Sequence, residues 1–75
     1  MDGAIINRNL LKSQMALRGV NVKDMAKAQD WSDTTAYRKV NGKVAFTAPE
    51  IQACVELLDL DTATANSIFF IEKMS

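Results

Sequence analysis

Apolar residues recur along this chain at spacings of three and four, and no stretch alternates apolar with polar for long enough to make a strand. The pattern predicts five helical segments and an all-α fold. Leu10, Leu11 and Met15 form one stripe of a first segment from about Asn7 to Arg18, and Gly19 can end it in the left-handed conformation. A second segment, Val22 to Gln29, turns Val22, Met25 and Ala26 inward and starts from Asn21, whose side-chain oxygen can accept a free N–H of the first turn. Ser32 can cap a third, Asp33 to about Val40, that stops at Asn41-Gly42, a pair tolerant of positive φ. Thr47 and Glu50 are spaced as a capping box for a fourth, in which Ile51, Cys54, Val55 and Leu58 recur at i, i+3, i+4 and i+7. Asp61 can cap a fifth, with Ala65, Ile68 and Phe69 on one face and Phe70 and Ile71 beside it. That last apolar surface is wider than one helix contact requires, so Phe69, Phe70 and Ile71 are candidates for the core or for a dimer contact.

Seventy-five residues correspond to one domain, 1–75, near the lower limit for folding without disulfides or metal. Only three glycines and one proline interrupt the helical pattern, which argues against long disordered tracts. No charge-free apolar run approaches the ~20 residues that span a bilayer, and the N-terminus lacks the charged-then-apolar layout of a secretory signal. The expectation is a soluble cytoplasmic protein without membrane contact. The lone Cys54 lies on an apolar helical face, and without histidine or a second thiol there is no zinc set. The chain also lacks a Gly-rich phosphate loop and paired carboxylates, so no catalytic residue, cofactor, metal or small-molecule ligand is expected.

The formal net charge of zero conceals a division. From Met1 to Lys43 eight basic residues face four acidic ones, giving +4, while the remainder is −4. A molecule so divided can turn its first part to a polyanion and its second to water or protein.

The basic part contains the predicted pair of short helices from about residue 22 to 43, joined by a tight turn. The second helix carries Thr34, Thr35, Tyr37, Arg38 and Lys39 within a turn and a half, more hydrogen-bonding and cationic capacity than packing requires. Helical phase sends Asp33, Thr34, Tyr37 and Arg38 outward and Ala36 and Val40 inward. Arg38 can place two donors on O6 and N7 of guanine, and the threonines can meet bases, phosphates or a thymine methyl. Lys39 and Lys43, with the backbone N–H groups of Asn41 and Gly42, are positioned for phosphates, as is Lys23 at the start of the preceding helix. Asp33 would repel phosphate unless it accepts from a cytosine amino group. Trp31, in the turn, is placed to wedge the two helices at a fixed angle.

These segments resemble the Cro/C1-type helix-turn-helix family, also called XRE or lambda-repressor-like, over roughly Leu10 to Phe70. The similarity is carried by Gly19, Met25-Ala26, SDTTAYRKVNGK at Ser32 to Lys43, FTAPEI at Phe46 to Ile51 and VELLDL at Val55 to Leu60. The closing IFF at Ile68 to Phe70 is similar to small phage-encoded members. The resemblance implies a compact five-helix domain whose third helix enters the major groove and which binds a double-stranded operator as a homodimer. It implies base reading at Asp33, Thr34, Thr35, Tyr37 and Arg38, and backbone contact at Asn41, Gly42 and Lys43. Two positions depart from the family pattern: Asp30 replaces the usual glycine of the turn, and Val40 replaces the acidic residue that often precedes Asn-Gly.

The expectation is therefore a sequence-specific transcriptional regulator, a phage or prophage repressor or Cro-like protein. Two copies would read half-sites about one helical turn apart, ~34 Å. A competing expectation, favoured by zero net charge and by Asp33, is a protein-interaction module on the same fold, such as a phage adaptor or antirepressor.

Overall fold

The computed structural model describes residues 6–69, and every regular element among them is a helix. The five are α1 (Arg8–Leu17), α2 (Val22–Gln29), α3 (Asp33–Val40), α4 (Ala48–Leu58) and α5 (Thr62–Phe69). Each begins where a side-chain oxygen can accept an orphan N–H, a contact worth about 1 kcal/mol per helix. Asn7 accepts from Leu10 N at 3.1 Å, Ser32 from Thr35 N at 3.1 Å and Asp61 from Thr64 N at 2.7 Å. The backbone and side chain of Thr64 hold the Asp61 carboxyl below the usual aspartate range. Thr47 and Glu50 make the expected capping box. Asn21 and Asp24 make a second, with Asp24 N donating at 2.8 Å and Asn21 N returning at 3.1 Å, which the sequence pattern did not reveal.

Asp30 closes α2 at φ 60° and ψ 42°, so this non-glycine residue does adopt the left-handed conformation. Its N–H donates to Lys27 O at 3.4 Å, and Trp31 N reaches Ala26 O at 2.8 Å. The chain therefore reverses within Asp30, Trp31 and Ser32 before α3 begins.

α2 packs on α3 and α4, and α1 packs on α5 and α3. One apolar cluster joins all five through Leu11, Met25, Val40, Cys54, Leu58, Ile68 and Phe69, each fully buried. Phe46, in the α3–α4 connection, sits edge-on to both Trp31 and Phe69, with centroids 5.5 and 5.2 Å away. Asn7 N donates to Ile68 O at 2.8 Å, tying the start of α1 to the end of α5. Burying each large apolar side chain contributes about 1.5–3 kcal/mol, and Phe69 belongs to this core. It cannot supply the dimer contact considered for it; Phe70 and Ile71 lie outside the described residues. Cys54 is sealed in the same core, and burial pushes its thiol up to about 12, so little reactive thiolate forms at neutral pH.

Candidate nucleic-acid interface

Helical phase divides α3 into two faces. Ala36, Lys39 and Val40, spaced i, i+3 and i+4, are buried. Asp33, Thr34, Tyr37 and Arg38 are exposed, Tyr37 to 61%. Thr34, Tyr37 and Arg38 fall at i, i+3 and i+4 along the outer surface, and the half-buried C-cap Asn41 follows at i+7. Thr35 is half-buried, and its hydroxyl accepts from Ser32 Oγ at 3.0 Å while its N–H donates to the same oxygen. It is part of the cap and does not share the open face expected of a base reader.

Lys39 requires the main correction. It was expected among the phosphate-contacting cations, yet the residue is only 8% exposed. Its Nζ donates to Glu50 Oε1 at 2.5 Å and lies 5.2 Å from the centroid of the Trp31 ring. The reason is its position three residues after Ala36, which puts its stem on the packed face. Glu50 gathers the surrounding elements. Its carboxylate also accepts from Thr47 N at 2.8 Å and from Trp31 Nε1 at 2.9 Å, and its backbone carbonyl accepts from Gln29 Nε2 at 2.9 Å. Burial pushes the Glu50 carboxyl up, but the donors Lys39, Thr47 and Trp31, with the Lys39 charge, outweigh it and hold the group below the usual glutamate range. Through this one carboxylate α4 holds the turn before α3 and the inner side of α3 itself. Trp31, expected to wedge α2 against α3, is held by its ring N–H on Glu50 and by edge-on packing against Phe46.

The C-terminal end of α3 also differs from expectation. Asn41 N donates to Tyr37 O at 3.0 Å, Gly42 N to Lys39 O at 3.1 Å and Lys43 N to Arg38 O at 2.8 Å. The backbone donors anticipated for phosphate at Asn41 and Gly42 are therefore engaged in closing the helix, with Gly42 at φ 78°. The Lys43 side chain is exposed beyond them, and Lys23 is exposed in the first turn of α2. A cation absent from the expected set arrives from α1: Lys12 Nζ donates to Asn41 Oδ1 at 2.7 Å. The two residues are 29 positions apart, and nothing in the local pattern links them.

Among the described residues, no helix is long and apolar enough to cross a membrane, and no group of histidine, cysteine, aspartate and glutamate could hold a metal ion. The open face of α3 thus offers one carboxylate, hydroxyls and a guanidinium, with ammonium groups at its end. No protein-family model, curated protein or solved structure matches this chain.

Proposed function

We propose that this chain is a sequence-specific DNA-binding protein, a transcriptional regulator in which α2 and α3 act as a helix-turn-helix within a lambda-repressor-like domain. The observation that carries the proposal is the stripe Thr34, Tyr37 and Arg38, open to solvent on a helix whose opposite side is locked to α4. An α-helix with one exposed face fits the major groove of B-form DNA, where base edges present distinct donor and acceptor patterns. Arg38 reads guanine, and Thr34 and Tyr37 supply hydroxyl or apolar contacts beside it. Asp33 accepts an amino group and penalises bases that present only acceptors there. Lys23 and Lys43 meet the phosphates on either side and set register. Lys39 and Thr35 are left to hold α3 in place. No catalytic step is assigned.

Selection of bound duplexes from a random pool tests this. The expected product is an enriched motif containing a guanine contact, arranged as an inverted repeat with half-site centres ~34 Å apart if two copies bind. Recovery of unenriched pool would refute sequence reading, and a single unrepeated motif would refute the dimer.

A further inference from the structure

We propose that Lys12 is a phosphate-contacting residue, so that α1 grips the DNA backbone at the end of the α3 stripe. This rests on the DNA-binding reading of α3. A helix C-terminus carries partial negative charge and repels phosphate unless a cation sits there. At the end of α3 Lys39 is engaged by Glu50 and the N–H groups of Asn41, Gly42 and Lys43 by carbonyls of the last turn, which leaves the exposed Lys43 ammonium beyond the helix and room for a second cation beside it.

Lys12 fills that place. Asn41 Nδ2 donates to Tyr37 O at 2.9 Å, which turns Oδ1 outward to receive Lys12 Nζ. An ammonium has three donors. One is held by Asn41, and two remain to reach an oxygen of the backbone beside the stripe. The stem of Lys12 borders an apolar hollow of about 430 Å³ walled by Met15, Val22 and Val40, so the head is presented while the methylene groups keep apolar contact. A side chain held in this way loses less freedom when it meets a phosphate than a freely moving lysine would.

The test compares binding of the wild type, Lys12→Met, Lys12→Gln and Lys12→Arg to one mixed-sequence duplex across a series of salt concentrations, with circular dichroism to verify folding. Glutamine keeps a donor for Asn41 and removes the charge, which separates phosphate contact from a purely structural tether. Each neutral variant is expected to flatten the slope of log affinity against log salt by about 0.9, with Lys12→Arg retaining the wild-type slope. Arg18→Gln is the control, because that guanidinium donates to Asp59 O at the end of α4, and its slope should equal that of the wild type. Wild-type slopes in both neutral variants would overturn the role of Lys12 while leaving α3 as the DNA-binding helix. Absence of salt-dependent binding by the wild type would overturn both.

Discussion

Glu50→Ala should lower the folding free energy by about 3 kcal/mol, the lower part of the range for breaking a buried ion pair, because the two side chains keep 10% and 20% exposure and some water can enter. The substitution strands the Lys39 ammonium on a packed face and leaves Trp31 Nε1 and Thr47 N without their acceptor. In a domain of this size such a loss corresponds to roughly 12–24 °C in Tm. Glu50→Gln, which keeps an oxygen for the indole but not the charge, should fall between wild type and alanine. The dependence on pH follows from the lowered Glu50 carboxyl. Its folded value lies below its unfolded one, so the associated stability is present above the unfolded value of ~4.3 and is lost as pH falls through the folded value. Urea denaturation followed by circular dichroism at neutral and acid pH should show the wild type and Glu50→Gln converging as the pH drops. A constant gap between them would mean that the charge of Glu50 contributes nothing.

Arg38→Ala should erase much of the preference for a selected duplex over random DNA, a loss of about 1–3 kcal/mol or roughly 5- to 150-fold in relative affinity. The residue is exposed, so the variant should melt with the wild type. Its affinity for random duplex should fall much less, because the phosphate contacts are assigned to other side chains. Arg38→Lys should recover only part of the preference, since an ammonium cannot reproduce a planar two-donor fork. Competition binding with the selected and random duplexes measures both quantities. Equal preference in wild type and Arg38→Ala would remove Arg38 as a reader of guanine.

Local information in the chain specifies the helices closely. Asn21, Ser32, Thr47 and Asp61 are caps because their oxygens lie within three residues of the N–H groups they accept, and such contacts are visible in sequence order. The i, i+3, i+4 stripes likewise identify Leu11, Met15, Ile51, Cys54 and Leu58 as core. What escapes is the second use of a residue. Glu50 completes a capping box legibly, yet its pairing with Lys39 and Trp31 depends on how α4 crosses the α2–α3 turn, which no spacing encodes. Lys39 was legible in part, since its phase with Ala36 already placed it inward, but its charge suggested solvent. Lys12 and Asn41 meet only because α1 packs on α3. The engagement of the Asn41 and Gly42 N–H groups follows from how α3 ends, a detail that Asn-Gly alone leaves open.

The most direct measurement is a salt titration of the folded wild-type protein on a fluorescent duplex. If the outer face of α3, flanked by Lys12, Lys23 and Lys43, lies against DNA, affinity should be substantial at low salt and fall with a log-log slope of roughly −2.7 for each bound copy, about −0.9 for each neutralised phosphate. Failure of the folded protein to bind duplex DNA even at the lowest salt would contradict the assignment and favour a protein partner for that face.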